Sequence, residues 1–155
     1  MTSFWGSPLD RPGRRQTAAM PDFRIRLNDV DAAGVVFAAR VCAIAHECYE
    51  DDLATAGFGL DRVLADGRYL LPLTRIEADF RKPLRHGDSI TADYAVEVAV
   101  DRYVVRIRLR LPGGILAAEV AQHHRCVSAS RTSLDLPTSL REALSRLPAG
   151  PSAAP

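Results

Sequence analysis

The stretch NDVDAAGVVF, residues 28–37, separates a predicted strand from a predicted helix. It carries two aspartates, Asp29 and Asp31, followed by small residues and Gly34, a composition typical of a loop. Before it, residues 23–27 alternate between apolar and charged side chains, which predicts a strand with one buried face. After it, apolar residues recur at helical spacing. The order is therefore strand, aspartate-containing loop and helix.

The predicted helix runs from Ala38 to Ala56 and is ended by Gly57, a residue type that often follows a last helical turn. Asp52 falls on its apolar side, and the sequence alone does not explain that position. The apolar stripe consists of Val41, Ile44, Ala45 and Cys48, whereas Glu47, Glu50 and Asp51 lie on the far side.

Four further stretches alternate as strands do, and short turns containing glycine, proline or aspartate separate most of them. A short closing helix is predicted at 140–147. One long helix must bury its stripe against the sheet, so the sequence predicts an α+β domain with a five-stranded antiparallel sheet. The four stretches are 74–80, 90–100, 103–111 and 115–128.

The composition limits the partners that the protein can have. The 155 residues carry 20 basic and 19 acidic side chains, so no net field would hold the protein on nucleic acid or an anionic membrane. The three cysteines show no paired spacing, which favours a reducing compartment. Without a secretory signal or an apolar run of about 20 residues, the chain is predicted to be cytoplasmic.

The two ends of the chain lack a patterned apolar face. Residues 1–19 are predicted to be a flexible extension, or to follow from a mis-assigned start codon, and residues 148–155 to be a flexible tail. The folded domain is then expected at 20–147.

Residues 28–37 resemble the D-x-D-x-x-G-[IV]-V-[FYW] signature of hotdog-fold thioesterases of the 4-hydroxybenzoyl-CoA thioesterase family. The resemblance covers about 23–130. It implies a long helix wrapped by a curved five-stranded antiparallel sheet, an acyl-CoA substrate, no metal or cofactor, and assembly as a homodimer or homotetramer. Residues 46–50 and 79–88 look most like the branch that hydrolyses 1,4-dihydroxy-2-naphthoyl-CoA in phylloquinone or menaquinone biosynthesis.

The resemblance implies that Asp31 is the catalytic carboxylate, acting either as a nucleophile or as the base that activates water. The alternative is that Asp31 only closes a turn or caps the helix. The backbone around Gly34, Phe37 and Ala38 would position the thioester carbonyl at the start of the helix. Asp29 is expected to brace the loop.

Two groups of side chains are weaker candidates for binding. His46 and Glu47 are predicted to line the substrate pocket, with solvent exposure as the alternative. His123 and His124 are neighbours on a strand and point to opposite faces, which argues against a shared zinc ion.

Candidates for the CoA phosphates are Arg81, Lys82, Arg85 and Arg102.

Two other functions remain open at this stage. The chain is alternatively a thioesterase for short-chain acyl-CoA or acyl carrier protein thioesters, or a noncatalytic acyl-CoA-binding hotdog module. The histidine-bearing motif of hotdog dehydratases is not apparent near Asp31.

Overall fold

The computed structural model describes residues 23–150. Five strands form one antiparallel sheet in the order β1-β3-β4-β5-β2, which confirms the predicted α+β architecture. In chain order the elements are β1 (Phe23–Arg24), α1 (Ala38–Thr55), α2 (Asp61–Asp66), β2 (Leu73–Phe80), β3 (Ser89–Val98), β4 (Arg102–Leu111), β5 (Ile115–Arg125) and α3 (Thr138–Ser145).

The core lies between α1 and the middle of the sheet. Helix α1 contacts β3, β4 and β5, and its apolar stripe is buried there as the periodicity predicts. Each large apolar side chain buried in this layer stabilises the fold by about 1.5–3 kcal/mol. Fully buried members of the layer are Ile44, Leu53, Val105, Ile107 and Leu109.

Asp52 is accommodated on the buried stripe by a hydrogen bond. The hydroxyl of Tyr94 on β3 donates to Asp52 Oδ2 at 2.5 Å, and both side chains are buried. Burial raises the pKa of Asp52 above its usual range. A polar partner on the facing strand therefore explains the charge that the helical pattern left unexplained.

Strand β2 lies at one edge of the sheet and has no covered face. Ile76 and Phe80 pair with Gln122 and Ala118 of β5 and so face the side that carries α1. They are nevertheless 43% and 52% exposed, because α1 crosses the three neighbouring strands and stops short of β2. The alternation in this strand predicted a buried face, which residues 23–150 do not supply.

Several element bounds differ from the sequence prediction. Strand β1 has only two residues, and Leu27 is 73% exposed in a 3-10 turn, Leu27–Asp29, instead of facing the core. Residues 61–66 form helix α2 where a loop was predicted. Strands β3 and β5 end at Val98 and Arg125, before the predicted 100 and 128.

The predicted extension 1–19 lies outside the described residues, as do 151–155. The predicted tail does not begin at 148, because the backbone N–H of Tyr94 donates to Pro148 O at 2.9 Å and Ala149 pairs with the same residue. Chain packing thus continues to Gly150. No helix between residues 23 and 150 is long and apolar enough to cross a membrane.

Candidate active site

The loop between β1 and α1 turns back on itself around Asp31. The N–H of Asp31 donates to Val35 O at 2.9 Å, and the N–H of Gly34 donates to Asp31 O at 2.9 Å. Gly34 has a φ of +75°, a conformation that side chains strain, so the turn needs glycine at this position. The predicted special backbone angle of Gly34 is therefore present.

The two carboxylate oxygens of Asp31 have different surroundings. Oδ1 accepts the backbone N–H groups of Ala33 at 2.8 Å and Val35 at 3.3 Å. Oδ2 accepts no hydrogen bond from residues 23–150, and the side chain is exposed. One oxygen thus holds the turn while the other is free to meet water or a substrate.

Helix α1 begins next to this loop without a side-chain cap. Phe37 is the N-cap residue in extended conformation, and its carbonyl accepts the N–H groups of Arg40 and Val41. The N–H groups of Ala38 and Ala39 donate to no acceptor within the described part of the chain. These donors, at the positive end of the helix dipole, suit a carbonyl oxygen that gains negative charge.

A partly buried ion-pair cluster fixes the loop to the helix. Arg40 Nε donates to Asp29 Oδ1 at 2.8 Å, and Asp29 Oδ2 accepts the N–H of Arg26 at 2.7 Å. Burial alone would raise the pKa of Asp29, but these hydrogen bonds hold it below its usual range. Asp29 braces the loop, in agreement with the role expected for it.

Glu47 belongs to this cluster and not to the substrate pocket. Its carboxylate accepts hydrogen bonds from both terminal nitrogens of Arg40, one of them at 3.3 Å. It does not line either of the two cavities described next, so the prediction of a substrate contact for Glu47 is not supported.

Two cavities lie between α1 and β2. The first, which we call the helix-start hollow, has a volume of about 320 Å³ and is lined mainly by Val35, Ala38, Val41, Phe80, Arg81 and Lys82. The second, the wide cleft, has a volume of about 820 Å³ and is lined mainly by Cys42, His46, Leu64, Ile76, Gln122 and His124.

The two cavities follow one another along the same three elements. From the hollow to the cleft, the lining advances from Ala38 to His46 on α1 and from Ala118 to His124 on β5. It retreats from Phe80 to Leu73 on β2, as antiparallel pairing requires. The cavities therefore form one groove beside the uncovered face of β2, with Asp31 bonded to a residue of the hollow.

Residues 25–144 match the model of the thioesterase-like superfamily. The chain belongs to this superfamily. It is 34% identical to 1,4-dihydroxy-2-naphthoyl-CoA hydrolases of Microcystis aeruginosa, over 79% of this chain and 90% of that protein, and of Synechococcus elongatus, over 76% and 88%. Among solved structures, a 1,4-dihydroxy-2-naphthoyl-CoA thioesterase from Synechocystis has a TM-score of 0.76 at 25% identity, over 81% of this chain and 94% of that one. The predicted hotdog thioesterase fold is confirmed.

The cleft of this thioesterase-family chain has a polar end. His46 Nδ1 lies 2.9 Å from Gln122 Oε1, and the hydroxyls of Tyr49 and Tyr103 lie 2.9 Å apart. The ring of His124 stacks on that of Tyr103 with centroids 4.8 Å apart. His46 thus lies where a substrate-pocket residue was predicted.

The sequence prediction did not assign Gln122, Tyr103 or His124 to the site. All three lie on strands at positions that face α1, among apolar neighbours. A polar side chain at a core position is uncommon, and that is the signal that would have identified them.

His124 is buried and not fully hydrogen-bonded. Nδ1 lies 3.5 Å from Leu71 O, and Nε2 has no partner among the described residues. Its neighbour His123 lies on the other face and meets Glu77 Oε1 at 3.0 Å, which confirms the predicted opposite orientation. Within residues 23–150, no three His, Cys, Asp or Glu side chains converge as a metal site.

The four basic candidates do not form one cluster. Arg81 and Lys82 line the helix-start hollow, and Arg85 pairs through its backbone with Val35 in the same region. Arg102 pairs with Arg125 at the far end of β5. The N–H of Arg81 donates to Ala117 O, and Arg125 lies eight residues further along β5, about 26 Å at 3.3 Å per residue. The grouping of Arg102 with the other three basic residues was therefore wrong within one chain.

We expect His124 to make the folded protein less stable in acid. Burial lowers the pKa of its imidazole from 6.5 to about 4. Between these pH values the unfolded chain binds a proton that the folded chain does not. The free energy of unfolding is therefore largest above pH 6.5 and falls by up to about 3 kcal/mol as the pH drops towards 4. Urea unfolding at pH 7 and pH 4.5 should show a smaller loss for His124→Phe than for the wild type. His123→Phe is the control, and equal losses in wild type and His124→Phe would contradict this account.

Proposed function

We propose that the protein is an acyl-CoA thioesterase with 1,4-dihydroxy-2-naphthoyl-CoA as its substrate, in phylloquinone or menaquinone biosynthesis. The free Oδ2 of Asp31 beside the uncapped start of α1 carries this proposal. The names of the relatives, 34% identical over most of the chain, support the choice of substrate.

The reaction adds water across the thioester and releases the free acid and the thiol of CoA. Asp31 Oδ2 either takes a proton from the attacking water or attacks the carbonyl carbon directly to give a mixed anhydride that water then opens. In both routes negative charge develops on the carbonyl oxygen. The unpaired N–H groups of Ala38 and Ala39 stabilise it, as preorganised donors do in other acyl-transfer sites.

One naphthoyl group is short for the groove of a single chain. Ala38 and His46 are eight residues apart on α1, about 12 Å at 1.5 Å per residue. A naphthoyl group extends only roughly 7 Å from its carbonyl carbon, as summed bond lengths give. A naphthoyl group whose carbonyl lies at the helix start of one chain therefore covers only part of the length of that chain's groove.

A second copy of the chain resolves this mismatch. Strand β2 is an edge strand with exposed apolar residues on the face beside α1, Leu73, Ile76 and Phe80 among them. Antiparallel pairing of two such edges sets the Phe80 end of one copy beside the Leu73 end of the other. The hollow with Asp31 then adjoins the wide cleft of the second copy, and the minimal active unit is a homodimer, alone or within a homotetramer.

The CoA phosphates are assigned to Arg81 and Lys82. Both backbone N–H groups donate to Ala117 O, at 2.8 and 3.0 Å, so the backbone that carries these side chains is fixed at the mouth of the hollow. The side chain of Arg81 is exposed, and Asp79 lies 3.9 Å away as its ionic partner among residues 23–150. Both cations are available to phosphate oxygens.

We expect Asp31→Asn to lower kcat by at least about a hundredfold while the protein still folds and binds CoA. The amide oxygen can still accept the N–H groups of Ala33 and Val35, but the amide neither takes a proton nor forms an anhydride at neutral pH. Free thiol release from a panel of aromatic, short-chain and acyl carrier protein thioesters measures the effect. Asp51→Asn, an exposed change on α1, is the control.

Near wild-type turnover of the Asp31→Asn protein would reduce Asp31 to a turn residue. Binding of acyl-CoA by the wild type without any thiol release would instead indicate the noncatalytic module.

We expect the double change Arg81→Ala with Lys82→Ala to raise KM about tenfold or more and to leave kcat nearly unchanged, because phosphate contacts stabilise ground and transition states equally. Steady-state kinetics with the best thioester measures it. Arg75→Ala on the same strand is the matched control, since its side chain is similarly exposed and pairs with Glu77. A fall in kcat with unchanged KM would contradict the assignment.

We expect two inactive variants to restore activity when they are mixed as unfolded chains and refolded together. Asp31→Asn removes the carboxylate, and Ala43→Trp fills the cleft that Ala43 lines. Random pairing makes half of the dimers mixed, each with one intact site, so about a quarter of wild-type activity should return. No restoration, with mixed dimers verified by mass, would mean that each site lies within one chain.

A further inference from the structure

We propose that His124 selects acyl groups that carry a ring hydroxyl, by accepting a hydrogen bond from that hydroxyl at Nε2. This inference rests on the proposed function for the identity of the acyl group. It starts from the buried ring nitrogen of His124 that meets no partner in residues 23–150, in a side chain that lines the wide cleft.

The surroundings of His124 fix which nitrogen carries the proton. Leu71 O is an acceptor only, so the Nδ1 atom 3.5 Å from it is the N–H donor. A neutral imidazole then has its lone pair on Nε2, and burial keeps the ring neutral because it lowers the pKa to about 4. The unpaired atom is therefore an acceptor, and only a donor group satisfies it.

The cleft restricts which donor arrives there. Most of its lining is apolar, and one face of the imidazole is already occupied by the ring of Tyr103. A lysine-like or guanidinium donor would lose its hydration in such a site, whereas a phenolic hydroxyl brings an aromatic ring that the apolar walls accept. A hydroxylated aromatic ring is the ligand chemistry that satisfies both.

The contact requires a small movement of the histidine ring. Nε2 is covered by its neighbours in the ligand-free protein. The opposite nitrogen is held only by the 3.5 Å contact with Leu71 O, a long and weak hydrogen bond. Because the contact with Leu71 O is weak, a tilt of the ring towards the cleft costs little free energy there. The tilt lets Nε2 accept the hydrogen bond that it lacks in the ligand-free protein.

In a 1,4-dihydroxy-2-naphthoyl group, the 4-hydroxyl is the donor available to His124. The 1-hydroxyl stands next to the carbonyl and can donate to it within the molecule. The 4-hydroxyl lies meta to the acyl group and has no internal acceptor, so it is the donor that is free to meet His124.

The test compares the 4-hydroxylated ligand, 1,4-dihydroxy-2-naphthoyl-CoA, with its matched analogue 1-hydroxy-2-naphthoyl-CoA, which lacks that hydroxyl alone. The wild type should prefer the 4-hydroxylated thioester in kcat/KM by at least about tenfold, since a site that pairs with a hydroxyl rejects the analogue without it. His124→Phe keeps an aromatic ring against Tyr103 but has no acceptor, and should lose this preference. His123→Phe, the same change on the opposite face of β5, should keep it.

A binding measurement separates this inference from the proposed function. Calorimetry with the free acids, 1,4-dihydroxy-2-naphthoate and 1-hydroxy-2-naphthoate, needs no turnover, and with the wild-type protein alone it can already overturn the role of His124. Tighter binding of the 4-hydroxylated acid by the wild type but not by His124→Phe, without hydrolysis of its thioester, would uphold the role of His124 and overturn the proposed function. Equal affinity and equal kcat/KM for the two ligands in the wild type would overturn the role of His124.

Discussion

Helix α1 is narrower than the sheet that it covers, and the candidate site follows from this mismatch. The helix buries its stripe on β3, β4 and β5, and the edge strand β2 is left with apolar side chains uncovered. Hydrophobic burial drives folding, so the protein retains this uncovered strip only where something else occupies it. The groove between α1 and β2 is the result, and both cavities lie in it.

The two aspartates of the loop before α1 differ in their exposure to water. Asp29 is buried and held by Arg40 and a backbone N–H, which ties the loop to the helix. Asp31, two residues later, is exposed and keeps one oxygen free. Two aspartates in one short motif therefore have different surroundings. Asp29 braces the loop, and Asp31 has a carboxylate oxygen that accepts no hydrogen bond from residues 23–150.

The sequence predicted the parts of the fold that local patterns determine. The period of α1, the strand alternation and the glycine at position 34 each reflect a local constraint, and all of them appear in the structure. The pairing of Asp52 with Tyr94 was not predictable, since it joins residues 42 positions apart. The same holds for Glu47, whose carboxylate pairs with Arg40 and lines neither cavity, and for β2, whose apolar side chains are left partly exposed by residues 23–150.

The most direct test of the account is a crystal structure with a non-hydrolysable analogue, in which a methylene separates the CoA sulfur from the naphthyl ketone. The carbonyl oxygen should lie about 3 Å from the N–H of Ala38 or Ala39 of one protomer, with the naphthyl ring in the wide cleft of the other. A ring seated outside the cleft, or a carbonyl remote from the start of α1, would contradict the account.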